Sequence, residues 1–90
     1  MARKRVPKEV LLDFERKMSL TEAATFLETI ATKLKEEGQM NLVLGEQQVE
    51  LTPTERVEFE IKVERRGTKY EFEIELEWDE SRPAQHLKIE

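Results

Sequence analysis

The sequence predicts an α+β domain of two layers, in which one helix packs on a mostly antiparallel sheet of about five strands in the order β-α-β-β-β-β. Two observations carry this prediction. Apolar residues recur at helical spacing between residues 19 and 38. In the segments on either side, apolar and polar residues alternate with a period of two, the pattern of strands with one buried face. Because all the apolar rows share one face, we expect the helix to cover the sheet.

The first predicted strand is the segment VLLDFERKM, residues 10–18. Val10, Leu12 and Phe14 share one parity, although Leu11 breaks the alternation. Since the helix connects this strand to the next, the two are expected to run parallel. We place the first strand beside the last one, with the remaining strands forming a meander.

The helix has start and stop signals at both ends. Ser19 followed by Glu22 is a capping box, in which the hydroxyl accepts from a free amide of the first turn. Gly38 stands where a left-handed C-terminal cap is expected. The predicted helix is about 17 residues long, and its apolar stripe consists of Ala23, Phe26, Leu27, Ile30, Ala31 and Leu34.

Two hairpins follow the helix. In the first, Gly45-Glu46 suits a two-residue turn and opposes Leu42 to Val49 and Met40 to Leu51. In the second, a turn at Arg66-Gly67 makes opposed residue numbers sum to 133. That register gives three pairs of opposite charge and two pairs of like charge. The opposite pairs are Glu64–Lys69, Lys62–Glu71 and Arg56–Glu77, and the like pairs are Glu60–Glu73 and Glu58–Glu75.

Length and composition predict one cytoplasmic domain. The chain has 90 residues and no cysteine, which excludes disulfides, thiolate nucleophiles and zinc knuckles. No apolar run approaches the about 18 residues of a membrane span, and the basic N-terminus lacks the apolar core of a secretory signal. We predict a flexible basic arm over residues 1–8, a single domain over 9–80 and a C-terminal tail over 81–90.

Charge is distributed unevenly along the chain. The arm contains Arg3, Lys4, Arg5 and Lys8, whereas the whole chain has a formal charge of −5. An acidic body argues against a nucleic-acid-binding face, because phosphate neutralisation needs a basic surface on the fold. A nucleic-acid accessory protein tethered by the arm is therefore kept as an alternative function.

Glutamates occupy the outward side of the last predicted strand. Glu58, Glu60, Glu73 and Glu75 are expected to form a two-by-two patch on the open face of the sheet. This face either keeps the strands soluble and apart from other strands, or binds cations or a basic partner. A specific calcium site would need six to eight converging oxygens, and side chains on a flat sheet diverge. No metal ligand is therefore assigned.

Catalytic signals are missing from the sequence. His86 is the single histidine and lies in the tail, and the three glycines are isolated, so there is no glycine-rich phosphate loop. Nucleophilic catalysis needs a nucleophile with an oriented base, which the body of the chain does not offer. We predict no enzyme activity, no catalytic residue and no cofactor.

Two motifs carry a family resemblance. Met18-Ser19 with Glu22-Ala23-Ala24, and the ending Glu75-Leu76-Glu77-Trp78, resemble the amphi-Trp domain family of small prokaryotic proteins. The resemblance spans roughly residues 12–79 and leaves the arm and the tail outside. The family is named for an amphipathic C-terminal strand that ends in tryptophan, and it has no assigned activity. The resemblance therefore implies that Trp78 matters but brings no catalytic residue.

The function expected from these observations is a small interaction module. It would bind another protein or a second copy of itself through sheet edges or through the acidic face, with no role at a membrane. Trp78 continues the parity of Leu76, so it either caps one end of the core or anchors a partner. The predicted interaction residues are Glu58, Glu60, Glu73, Glu75, Trp78, Arg3, Lys4 and Arg5.

Overall fold

The computed structural model describes residues 6–81, 87 and 89. The α+β class is confirmed. The described residues form four strands instead of about five, in two separate two-stranded antiparallel sheets instead of one. The chain divides into two compact units, Met1–Thr52 and Pro53–Glu90. The elements are α1 (Leu20–Glu37), β1 (Met40–Leu44), β2 (Gln47–Leu51), β3 (Glu58–Arg66) and β4 (Lys69–Glu77).

Helix α1 begins and ends where the local signals predict. The Ser19 hydroxyl accepts a hydrogen bond from the Glu22 amide at 3.1 Å. At the other end Gly38 has φ +66° and donates its amide to the Leu34 carbonyl at 3.1 Å. Both contacts satisfy backbone groups that a helix terminus leaves without an intrahelical partner. No helix among the described residues has both the length and the apolar character needed to cross a bilayer.

The predicted first strand is wrong. Residues 6–19 belong to neither a helix nor a strand, so the expected place of a first strand beside the last one is also wrong. The segment packs on α1 instead: the rings of Phe14 and Phe26 lie 6.4 Å apart, and Leu12 and Met18 are half-buried. Because of Leu11, the segment has apolar residues at both odd and even positions. It therefore lacks the single apolar face that a strand of a half-buried sheet needs.

The first hairpin, β1–β2, has the predicted register. Met40 faces Leu51 and Leu42 faces Val49 across the Gly45-Glu46 turn. Gly45 has φ +60°, and no non-glycine residue of the described chain has a positive φ. A positive φ at the first central position only is the type II′ geometry, which suits the twist of a hairpin.

The first unit gathers its apolar residues between α1, the segment before it, and this hairpin. Several side chains are half-buried there, and no described residue is fully buried. Part of the apolar surface lines a groove of about 790 Å³ in this unit. The half-buried residues of the unit are Leu12, Met18, Ala23, Ile30, Leu34, Met40, Leu42, Leu44, Val49 and Leu51.

The second hairpin, β3–β4, has a different register from the predicted one. The turn is Gly67-Thr68, not Arg66-Gly67, so opposed residue numbers sum to 135. Gly67 has φ +58° and occupies the first central position, as Gly45 does in the first hairpin. The shift of two residues preserves which side chains share a face but changes every cross-strand pair.

The predicted burial of the second hairpin's apolar row is not observed. All residues of β3 and β4 are exposed, on both faces of the hairpin. Phe72 is 61% exposed and Ile74 is 45% exposed. Alternation in these strands therefore identifies an apolar face correctly, but it does not predict the exposure of that face.

Candidate interaction surface

The β3–β4 hairpin is a two-sided ribbon, and its apolar face is the candidate site. The apolar face consists of Phe59, Ile61, Val63, Tyr70, Phe72, Ile74 and Leu76. The ladder opposes Phe59 to Leu76, Ile61 to Ile74 and Val63 to Phe72. The exposed fractions along β3 and β4 are Phe59 60%, Ile61 54%, Val63 65%, Tyr70 64%, Phe72 61%, Ile74 45% and Leu76 36%.

Cations mark the turn end of the ribbon. Arg65 faces Tyr70 in the last rung on the apolar side, and its guanidinium lies 5.4 Å from the centre of the tyrosine ring. The Arg65 Nε also donates to the Gly67 carbonyl at 2.9 Å. Arg66 faces Lys69 in the rung next to the turn. The turn end of the ribbon therefore carries three positive side chains.

The opposite side of the ribbon, here called the acidic face, carries seven glutamates, two lysines and one arginine. Glu58 faces Glu77, Glu60 faces Glu75 and Glu64 faces Glu71, so three rungs set like charges directly opposite each other. None of the predicted opposite-charge pairs forms as a rung. The residues of this face are Glu58, Glu60, Lys62, Glu64, Arg66, Lys69, Glu71, Glu73, Glu75 and Glu77.

Ion pairs on the acidic face run along the strands instead of across them. Lys62 Nζ lies 2.7 Å from Glu64, and Lys69 Nζ lies 3.9 Å from Glu71. The hydrogen bond to Glu64 raises the pKa of Lys62 above its ordinary 10.5, and the charges of Glu64, Glu73 and Glu60 add to this effect. The lysines therefore offset charge near the turn, while the open end of the ribbon keeps its glutamates without a lysine.

The predicted glutamate patch is displaced by one rung. Glu58, Glu60 and Glu75 are brought together as expected, but their fourth member is Glu77, because Glu73 stands opposite Lys62. These four carboxylates line a shallow depression of about 180 Å³. Among the described residues, no group of three or more acidic, histidine or cysteine side chains is arranged to hold a metal ion.

Trp78 directly follows β4, at the open end of the ribbon, and is half-buried. The chain turns immediately after it: the Asp79 carboxylate accepts from the Ser81 amide at 2.9 Å and from the Ser81 hydroxyl at 2.6 Å. This Asx turn fixes where the strand stops. The other predicted interaction residues, Arg3, Lys4 and Arg5, lie outside the described residues, as does His86.

Sequence reasoning assigned the interaction role to the glutamates and overlooked the apolar face. It treated Phe59, Ile61, Phe72 and Ile74 as core residues, and the structure leaves them exposed. The missed register had a usable signal. Glycine at the first central position correctly located the turn of the first hairpin, and the same rule at Gly67 gives the observed pairs.

Comparison with known proteins identifies a family and assigns no function. Residues 6–90 match the family model described as the Amphi-Trp domain. Comparisons with curated proteins and with solved structures find no match. The matched span is wider than the roughly 12–79 expected from the motifs, and it includes the C-terminal tail. This match over nearly the whole chain, together with the tryptophan that closes an amphipathic strand, shows that the chain belongs to the Amphi-Trp domain family.

Proposed function

We propose that the chain is a non-enzymatic, cytoplasmic interaction module that binds a protein through the apolar face of the β3–β4 ribbon. One observation carries this proposal: every residue of both strands is exposed, although their alternation is that of a half-buried sheet. A two-stranded hairpin is marginally stable in water unless a further element covers its apolar side. The apolar face is therefore the surface with the strongest physical requirement for a partner.

Size supports the same choice. Aromatic side chains have about 150–250 Å² each, so Phe59, Tyr70 and Phe72, with about 60% of each exposed, present roughly 300–450 Å² before the four aliphatic side chains are added. The largest apolar patch on a typical monomer is about 300–600 Å², and patches of this kind usually mark binding sites. Burial at about 25 cal/mol per Å² makes covering such a face strongly favourable.

The strand edges and the acidic face, which the sequence analysis considers first, are weaker candidates for the main contact. An edge of β3 or β4 presents a row of glutamates beside its free backbone groups, which discourages pairing with another strand. The acidic face is open to water, where single ion pairs contribute only about 0–1 kcal/mol. Both surfaces suit a solvated exterior better than the main contact.

Non-enzymatic action is part of the proposal. The chain has no cysteine and one histidine, so nucleophile and base combinations are scarce. The carboxylates of the ribbon stand on an open strand face, where water has free access. General acid–base catalysis depends on groups placed within hydrogen-bond reach of a bound substrate, and a diverging face does not provide that convergence.

A face-specific photocrosslink tests the function. A photoreactive benzoylphenylalanine replaces Ile61 on the apolar face or, as the matched control, Lys62 on the acidic face. In the native host, position 61 should give a discrete adduct with a protein, either another copy or a different chain, and position 62 should not. Equal yields from both positions, or a chain that remains uncoupled from position 61, would rule out a binding role for this face.

A further inference from the structure

We infer that the occupant of the apolar face is a second copy of this chain, with the two ribbons stacked face to face and their turns at opposite ends. This inference rests on the proposed function and names its partner. It adds three observations: the area of the apolar face, the position of the glutamates, and the position of Arg65 at the turn end of the apolar side.

The area of the apolar face matches a self-complementary interface. A standard stable interface buries about 800 Å² on each partner. The three aromatic side chains of the apolar face offer roughly 300–450 Å² by themselves, four aliphatic side chains add to this area, and Trp78 continues the row beyond the ladder. Two flat rows of alternating aromatic and branched side chains interdigitate as they do between the sheets of a sandwich, about 10 Å apart.

The glutamates tolerate a face-to-face stack. They all lie on the side of the ribbon away from the apolar face, so stacking leaves both acidic faces in water on the outside. Side-by-side association would instead align the glutamate rows of two copies. Like charges in adjacent rows oppose that arrangement.

Charge on the apolar side of the ribbon selects the orientation. Arg65 is the one charged residue of β3 and β4 on that side, and it lies at the turn end, whereas Arg66 and Lys69 share the outward side with the glutamates. With turns together, the Arg65 guanidinium groups of both copies would lie close together at one end of the interface, and like charges oppose that arrangement. With turns at opposite ends, the two guanidinium groups lie at opposite ends of the interface.

This arrangement has a defined geometry. The two-fold axis crosses the middle rung, Ile61–Ile74, so that each of these residues lies over its own equivalent. The rung Arg65–Tyr70 of one copy then lies over the end of the other that leads into Trp78. A guanidinium and an aromatic ring over an indole form a favourable contact, which gives the tryptophan an anchoring position.

The first test is the mass of the purified full chain in sedimentation equilibrium. A species of twice the 10.7 kDa chain mass is expected at high concentration, in reversible exchange with monomer on dilution. A chain that stays monomeric at all concentrations overturns the inference. Monomer together with a face-specific adduct to a different protein overturns only the second copy and leaves the proposed function standing.

The second test measures the orientation by pulsed electron paramagnetic resonance. The chain has no cysteine, so Thr68→Cys gives a single spin-label site at the turn, away from the apolar face. Opposed turns place the two labels about 45 Å apart, because Thr68 lies seven residues from the central Ile61 at about 3.3 Å per residue. Turns at the same end would bring the labels to about 10–20 Å, the sheet spacing plus the labels, and would overturn the proposed arrangement.

A control label shows that the dimer is intact. Lys62→Cys lies near the central rung on the outward side, so its labels are separated by both sheets at about 25 Å in the dimer. This distance should appear together with the long Thr68 distance. Absence of any dipolar signal from either site, in a sample that is folded by circular dichroism, counts against the second copy.

Discussion

Glu60 and Glu75 illustrate how single residues shape the ribbon. They face each other directly, in a ladder where Glu58 also faces Glu77 and Glu64 faces Glu71. Each like-charge rung costs stability in proportion to its cross-strand proximity. These rungs do not help the ribbon to fold, and they suit a face that stays in water.

The first prediction reverses one of these charges. Glu75→Lys turns the Glu60–Glu75 rung into an opposite-charge pair and should raise the free energy of unfolding by about 0.2–1 kcal/mol. Glu50→Lys is the matched control, because Glu50 faces the neutral Asn41 in the first hairpin. Urea denaturation at low salt measures both. A Glu75→Lys variant no more stable than Glu50→Lys would show that the rung carries no repulsion.

Lys62 gives a prediction in alkaline solution. The hydrogen bond and charge of Glu64 raise the Lys62 pKa above 10.5, with further contributions from Glu73 and Glu60. Because the folded pKa lies above the unfolded one, the stabilisation by Lys62 is complete below about pH 10.5 and is lost as the pH rises through the folded pKa.

The measurement is the urea midpoint of wild type and Lys62→Gln as a function of pH. Their difference should be constant from neutral pH towards 10.5 and should shrink at higher pH. In a Glu64→Gln background the same comparison should depend less on pH, because the largest cause of the shift is absent. A difference that widens above pH 10.5 would contradict this account.

At the scale of elements, glycine at the first central position determines both hairpin registers. Gly45 and Gly67 have φ +60° and +58°, and a Cβ added to either glycine would meet no atom within 4 Å. Their requirement is therefore conformational and does not come from close packing.

Gly67→Ala should therefore destabilise the second hairpin by about 1–2 kcal/mol, the cost of a left-handed backbone for an L-residue. Thr68→Ala, at the next turn position without a positive φ, is the control and should change little. Thermal unfolding and amide exchange in β3 and β4 measure the effect. Equal effects of the two substitutions would argue against a turn of this type.

The elements that the sequence predicts well are those with local signals. Ser19 and Gly38 bound α1, and Gly45 sets the first register, because capping and turn chemistry depend on neighbouring residues. Residues 10–18 were assigned to a strand on three apolar residues of one parity, although Leu11 permits packing on the helix instead. Alternation alone does not distinguish an extended segment on a helix from a strand in a sheet.

At the scale of the whole molecule, alternation predicts that a face is apolar but not what covers it. The sequence correctly grouped Phe59, Ile61, Phe72 and Ile74 on one face and the glutamates on the other. The sequence predicts Phe72 and Ile74 as core residues, and both are exposed. The periodicity of one chain does not show whether another chain covers a face. For this reason the sequence points to the acidic face as the candidate site.

The most direct test of this account compares two neighbouring substitutions in sedimentation equilibrium. Ile74→Thr removes a branched apolar group from the centre of the apolar face, and Glu73→Thr changes the adjacent residue on the acidic face to the same side chain. We expect Ile74→Thr to weaken dimerisation at least tenfold, which corresponds to the loss of about 1.4 kcal/mol at the centre of an interface. Glu73→Thr should leave the dissociation constant within about threefold of wild type, because outward-facing charges contribute little. Equal dissociation constants for Ile74→Thr and Glu73→Thr, with both variants folded, would contradict the account.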